Sequence, residues 1–319
     1  EIGSGLVGSE MCIRDRNLFR VDKVCQGESV YCLDRAEDFR HAIEQVLSGE
    51  HAELILKLNG SDIQLIANPV VRGQKTEGAV ILLVNVTEKL ERENLRREFS
   101  ANVSHELKTP LTSISGYAEI MMNGLVKSED MQGFSERIYK EASRMITLVG
   151  DIIKLSKLDE GSVELEKENV DLYQMTREIV SRLALQAEKR RIQVEVVGEH
   201  VECFGIRQIL DEMIYNICEN AIKYNKEDGW VHVSLNADHQ YFYLKVEDSG
   251  IGIPEDSLGH IYERFYRVDK SHSREIGGTG LGLAITRNAV LMHRGAIKVF
   301  STEGEGTIFN VRIPLNYIS

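Results

Sequence analysis

Residues 103–117 read VSHELKTPLTSISGY. Apolar residues through and around this stretch recur mainly at three- and four-residue steps: Leu90, Leu95, Phe99, Val103, Leu107, Leu111, Ile114, Ala118 and Met121. That period predicts one long amphipathic helix. Pro110 sits inside it, at a cost of about 3 kcal/mol, because it removes a backbone bond and crowds the turn at Glu106. At about 100° per residue, His105 points roughly opposite the mean direction of Val103 and Leu107, so the imidazole faces solvent. A neutral ring nitrogen can attack an electrophile. Glu106 can take the proton of the other ring nitrogen and fix the tautomer, and Thr109 shares the histidine's face at i+4. Read alone, the stretch fits a bent surface helix as well as a nucleophile's seat.

Downstream of NGLVKSED, a second helix carries Phe134, Ile138, Met145, Val149, Ile152, Leu155 and Leu158. Two helices with a short connection make an antiparallel hairpin. A single hairpin covers its apolar stripe poorly, so pairing with a second copy into a four-helix bundle, a homodimer, is the economical expectation; packing onto the chain's own remainder is the alternative.

Upstream, AEDFRHAIEQVLSG predicts a helix, and HAELILKLN, DIQLIANPVV and EGAVILLVNV predict strands with turns at NGSD and RGQKTEG. This small α+β module, residues 17–86, resembles the C-terminal part of a PAS sensor domain, with VNVTEKLERE leaving the last strand as a signalling helix. Residues 1–16 end in SGLVGSEMCIRDR, which resembles translated read-through of a sequencing adaptor; a genuine disordered terminus is the alternative.

The chain has 319 residues, enough for two or three domains, and a formal charge of -12, which argues against a general nucleic-acid binder. Five scattered cysteines fit a reducing compartment better than a disulfide framework. No apolar run approaches the roughly 20 residues that span a bilayer, so the chain reads as soluble. It opens on Glu1 rather than Met, as a fragment of a longer and membrane-bound protein would.

After the polar junction DEGSVELEKENV, residues 161–319 predict helices at DLYQMTREIVSRLALQAEKR and GIRQILDEMIYNICENAIKYN. Strands are predicted at RIQVEVVG, WVHVSLNA, QYFYLKVED, AIKVFS and TIFNVRIPL. The result is a mixed sheet with helices on one face. NICENAIKY places Asn216, Asn220 and Lys223 on one helical face, where amide oxygens suit a hard cation and the ammonium suits phosphate; a polar surface face is the plain alternative. In EDSGIGIP, Asp248 ends a strand and Gly250 and Gly252 turn tightly, offering an acceptor for an exocyclic amine of adenine. GGTGLGLAI sets Gly278, Gly280 and Gly282 before a helix, where amides can meet anionic oxygens. It is neither a Walker A loop nor a dinucleotide fingerprint. Between them, SLGHIYERFYRVDKSHSRE reads as a lid anchored by Phe265 and Tyr266, with Arg267, Lys270 and Arg274 available to phosphates.

Together these segments resemble the sensor histidine kinases of bacterial two-component systems. FSANVSHELKTPLTSISGYAE is similar to the family's H box, and NICENAIKYN, EDSGIGIP, ERFYRVD and GGTGLGLAI to its N, G1, F and G2 boxes in order. Among subgroups the chain is most similar to the PAS-containing phosphate-regulon and cell-wall-homeostasis kinases. The resemblance implies a multidomain α+β chain: a partial PAS-like module, a dimeric hairpin over residues 87–160, and a Bergerat-type α/β sandwich over residues 161–319 that binds ATP and Mg2+. It implies a protein-histidine kinase in which His105 accepts the γ-phosphoryl group and passes it to an aspartate of a response regulator. Glu106 matches the acidic neighbour, and Thr109 the residue that positions water for phosphatase action on the regulator.

The same resemblance implies that Asn216 and Asn220 associate with Mg2+, Lys223 with phosphate, Tyr224 with the nucleotide and Asp248 with adenine. Gly250, Gly252, Gly278, Gly280 and Gly282 match its hinges and phosphate-side glycines, and Arg267 a phosphate contact. It also implies a cytoplasmic portion of a plasma-membrane protein. Gyrase- and chaperone-type ATPases of the same fold use a glutamate where Asn216 stands; an amide cannot deprotonate water, which disfavours hydrolysis. A nonenzymatic dimeric scaffold is the third alternative. One departure is HRGAI (293–297), where Arg294 replaces a common glycine.

Overall fold

A computed structural model describes residues 36–73, 75–160, 166–268 and 278–316. The chain divides into two compact units, through Ala101 and from Asn102.

The described part of the first unit opens with α1 (Glu37–Leu47), whose Phe39, Ala42, Ile43 and Val46 fall on one face and are buried. Strands β1 (Ala52–Leu58), β2 (Ser61–Arg72) and β3 (Lys75–Asn85) form an antiparallel meander in that order. Asn59 and Gly60 both have positive φ, the two-residue hairpin turn that suits right-twisted strands. In β2, alternate residues Ile63, Leu65 and Ala67 are fully buried on the α1 side. The opposite face leaves Ile55, Val80 and Leu82 at least half exposed.

Helix α2 (Thr87–Met122) is unbroken through Pro110. Helix α3 (Met131–Glu160) returns antiparallel to it. Their register is marked by Tyr117 and Phe134, edge to face at 5.7 Å, with Arg137 lying over both rings. Pro110, Leu148 and Leu155 are buried, but Leu111, Ile146 and Ile153 are 53%, 75% and 51% exposed. Of the predicted stripe, Leu155 is buried while Leu95, Leu111 and Val149 are exposed, so it is only partly covered within one chain.

The C-terminal sandwich contains β4 (Glu168–Asp171), α4 (Leu172–Lys189), β5 (Gln193–Gly198), β6 (Glu202–Gly205) and α5 (Arg207–Lys223). It continues with β7 (Trp230–Ala237), β8 (Tyr241–Asp248), the single turn α6 (Glu255–Leu258), α7 (Gly282–Met292), β9 (Ala296–Thr302) and β10 (Gly306–Pro314). The main sheet runs β5-β7-β8-β10-β9; β5 and β7 are parallel and the other pairs antiparallel. Val231, Val233, Leu235, Phe242, Leu244, Val246, Val311 and Ile313 present one apolar face. Against it pack Ile179 and Leu183 of α4, Met213 and Ile217 of α5, and Val290 of α7. The short β4–β6 pair is a second sheet that the sequence pattern did not signal, because four residues are too few to display alternation. Cys203 and Cys218 are buried and unbridged. No helix of the described residues is long and apolar enough to cross a membrane.

Candidate active site

The histidine stands where the periodicity predicts. Its side chain is 77% exposed, and its Nδ1 lies 3.9 Å from Glu106 Oε1. The other Glu106 oxygen lies 3.6 Å from Nη2 of Arg144 on α3. Thr109 donates its hydroxyl to the His105 carbonyl at 3.2 Å. Because Pro110 has no N–H, the Glu106 carbonyl lacks its usual i+4 helix donor.

The nucleotide-like residues gather on the sandwich. Asp248 ends β8 on the buried face and is 9% exposed. Its Oδ1 accepts the Gly250 N–H at 2.8 Å. Burial raises its carboxyl pKa to about 6, against the lowering effect of the Gly250 and Thr307 amides. Gly252 has φ +68°, and a Cβ there would lie 2.0 Å from the Thr302 carbonyl oxygen, so only glycine fits.

Helix α5 presents Asn216, Asn220 and Lys223, with Tyr224 as its C-cap. Asn216 is buried and donates to the Gly282 carbonyl at 3.3 Å, tying α5 to the start of α7. The Lys223 ammonium lies 5.5 Å from the Tyr224 ring centroid. Burial lowers the Lys223 pKa, the Arg267 guanidinium lowers it further, and Glu219 and Asp151 oppose them. Burial likewise raises the Tyr224 phenol. A Cβ on Gly278 would reach the Lys223 Nζ at 2.7 Å, so that glycine leaves open the space before the ammonium. Gly280, at φ +72°, runs against the Phe265 backbone and accepts the Phe265 N–H at 2.9 Å. Lys270 and Arg274 lie outside the described residues.

This donor set fits an Mg2+-nucleotide. An ammonium and a glycine cradle face one opening, amide oxygens suit a hard cation, and a recessed carboxylate can accept an amine. No cluster of three or more His, Cys, Asp or Glu side chains among the described residues is placed to hold a metal ion.

Several participants lay beyond sequence reasoning because they meet across elements distant in the chain. Asp151 of α3 accepts a 2.6 Å hydrogen bond from Thr279 in the glycine loop. Lys154 contacts both carboxylate oxygens of Glu212, and Asp159 accepts from Arg264 and Asn288. Arg190 donates to the carbonyls of Ile222, Lys223 and Asn225, capping the end of α5.

Comparison with known proteins agrees with the geometry. Residues 95–161 match the His Kinase A (phospho-acceptor) domain, and residues 205–317 the histidine kinase-, DNA gyrase B-, and HSP90-like ATPase. The sensor protein kinase WalK of Staphylococcus haemolyticus is 39% identical over 248 residues, 76% of this chain and 40% of that protein. A WalK from Staphylococcus aureus is 38% identical over 76% of this chain and 59% of that protein. The chain thus spans only about two fifths to three fifths of these curated relatives' lengths.

Among solved structures, the Acinetobacter baumannii histidine kinase AdeS superposes with TM-score 0.55 at 23% identity, covering 66% of this chain and 98% of that one. The histidine kinase ThkA, in complex with the response regulator protein TrrA, superposes with TM-score 0.52 at 24% identity, covering 94% of this chain and 90% of that one. These two likenesses establish the fold. By its phospho-acceptor and ATPase domains in this order, the chain belongs to the bacterial sensor histidine kinases.

Proposed function

We propose that this chain phosphorylates itself on His105 from ATP and passes the phosphoryl group to an aspartate of a response regulator. The observation that carries this reading is an exposed imidazole with its Nδ1 toward a carboxylate, in the same chain as a buried aspartate and a lysine-glycine cradle. Asp248 accepts the exocyclic amine of adenine, while Lys223, Arg267 and the Gly278–Gly282 backbone take the phosphates. Tyr224 lines the nucleotide, and Gly250 and Gly252 shape the turn beside it. Asn216 and Asn220 would hold Mg2+, which would supply positive charge against the triphosphate.

With Nδ1–H toward Glu106, the Nε2 lone pair of His105 bonds to the γ-phosphorus while the bond to the β–γ bridging oxygen breaks and ADP leaves. The Nδ1 proton passes to Glu106. In the second step a carboxylate oxygen of the regulator bonds to phosphorus, the N–P bond breaks, and the ring recovers its proton. Thr109, one turn on, positions water for hydrolysis of the phospho-regulator.

The exposed Leu111, Ile146 and Ile153 support closure of α2 and α3 against a second copy in a four-helix bundle. Arg144, at the level of Glu106, and Asp151, at the glycine loop, are two helical turns or about 10 Å apart along α3. Both contacts on one helix support transfer from the glycine loop to His105 by movement along the hairpin. We read the α1–β3 unit as the C-terminal part of a PAS-like module, with residues 87–160 as phosphotransfer hairpin and 161–319 as catalytic domain.

The test incubates wild type, His105→Ala and Asn220→Ala with γ-labelled ATP and Mg2+. Acid-labile label should appear in wild type and vanish in both variants. Label retained in His105→Ala would move the nucleophile elsewhere.

A further inference from the structure

We propose that Arg144 is a positioning residue for phosphoryl transfer: it holds Glu106 so that the carboxylate fixes the tautomer of His105. The inference rests on the kinase reading above and adds to it a residue outside the H box. Glu106 divides its two oxygens between partners, Oε1 lying 3.9 Å from His105 Nδ1 and Oε2 3.6 Å from Arg144 Nη2. The Arg144 and Glu106 side chains are 26% and 30% exposed, whereas the imidazole is 77% exposed. The carboxylate is thus held from the seam of the hairpin and offered outward.

The local backbone gives this pair a task. Pro110 removes the helix bond to the Glu106 carbonyl, so α2 is less constrained just where Glu106 must be placed. Helix α3 supplies a contact from outside that turn. The Tyr117–Phe134 contact fixes the same antiparallel register about three turns away, so Arg144 meets Glu106 through the packing of the hairpin.

The chemistry follows from the imidazole. A carboxylate at Nδ1 keeps the proton there and leaves the Nε2 lone pair facing outward. When Nε2 bonds to phosphorus, positive charge develops on the ring, and Glu106 accepts the Nδ1 proton. An unanchored Glu106 would turn toward water, and the ring would divide between its two tautomers. An exposed ion pair with no such role would contribute little beyond the hairpin's packing.

The experiment uses the full chain as Arg144→Ala, Arg144→Lys and Glu106→Gln, with the Arg144→Ala/Glu106→Gln double variant. Arg144→Ala should lower the autophosphorylation kcat by about 10- to 100-fold, the range for losing a residue that orients another, with KM for ATP within about twofold. Arg144→Lys should recover part of the loss, because it keeps charge but not the planar fork. In the Glu106→Gln background, Arg144→Ala should cost little more, since both act through one carboxylate.

In 15N spectra of the imidazole, wild type should show the Nδ1–H form and Arg144→Ala a mixture. Unchanged kcat in Arg144→Ala, additive losses in the double variant, or an unchanged tautomer would each overturn the proposal. If wild type forms no phosphohistidine, the kinase reading fails on its own, while the spectra still decide whether Arg144 sets the tautomer.

Discussion

The Thr279 hydroxyl donates to Asp151 Oδ2 at 2.6 Å while accepting the Leu281 N–H at 3.2 Å, linking the first turn of α7 to the hairpin. Burial raises the Asp151 pKa, and Lys223 lies close enough to oppose that rise. When ionised, the carboxylate is a negative charge within electrostatic reach of the lysine proposed to bind phosphate. Asp151→Asn keeps the shape and removes the charge. It should tighten ATP binding by about 3- to 10-fold, the effect of one partly screened charge, with a smaller gain at high salt. Titration with a fluorescent nucleotide reads this directly, and unchanged affinity would refute it.

Asp248 predicts opposite pH trends for stability and for binding. Its folded-state pKa is raised to about 6 from an ordinary 3.8, so the empty fold holds the proton more tightly than the unfolded chain does. Its contribution to stability therefore improves as pH falls through about 6 and levels off below 3.8. Nucleotide binding as proposed uses the carboxylate, and should weaken over the same acid range. At pH 8, Asp248→Asn should stabilise the empty protein by about 1–3 kcal/mol and weaken ATP at least about tenfold. Denaturant melts with and without nucleotide check both halves.

His293 carries the reverse pH dependence. It is buried at the end of α7, its Nδ1 pairs with the Ala289 carbonyl at 2.8 Å, and its Nε2 accepts the Ile206 N–H at 3.1 Å. That acceptor role requires a neutral ring, and burial lowers its pKa below 6.5. The stabilisation is complete above 6.5 and is lost as pH falls below it, because the unfolded chain takes up the proton first. His293→Gln should be destabilised by about 1–3 kcal/mol near pH 8, as expected for a buried polar pair imperfectly replaced. The gap to wild type should narrow by pH 5.5. A constant gap would contradict the assignment.

Arg294 follows in a helix-ending turn. Its φ is +54°, its N–H reaches the Leu291 carbonyl, and the Gly295 N–H reaches Val290, the paired bonds of a Schellman motif. Glycine occupies this conformation without the steric cost of a Cβ. Since Arg294 is exposed, Arg294→Gly should stabilise the sandwich by about 1 kcal/mol and raise its thermal midpoint by a few degrees. No change would mean that the arginine's own interactions offset the strain.

Legibility in the sequence followed the range of the physics. Period-two runs such as WVHVSLNA and QYFYLKVED disclosed every strand of the main sheet, and three- and four-residue steps disclosed both long helices. The outward direction of His105 came from helical angles alone, which are local. The exposed part of the hairpin stripe was expected from burial arithmetic, since two helices cannot enclose a full apolar face. Arg144, Asp151 and Arg190 carried no such signal, because each takes its role from a residue on another element. The Arg294 departure was visible as a residue out of place, but only its positive φ shows what it costs.

The most direct measurement is peptide mapping of the chain after reaction with γ-labelled ATP and Mg2+, under alkaline conditions that preserve phosphoramidates. The account predicts one acid-labile phosphate, on His105. Label on another residue, or phosphate release that persists undiminished in His105→Ala, would contradict it.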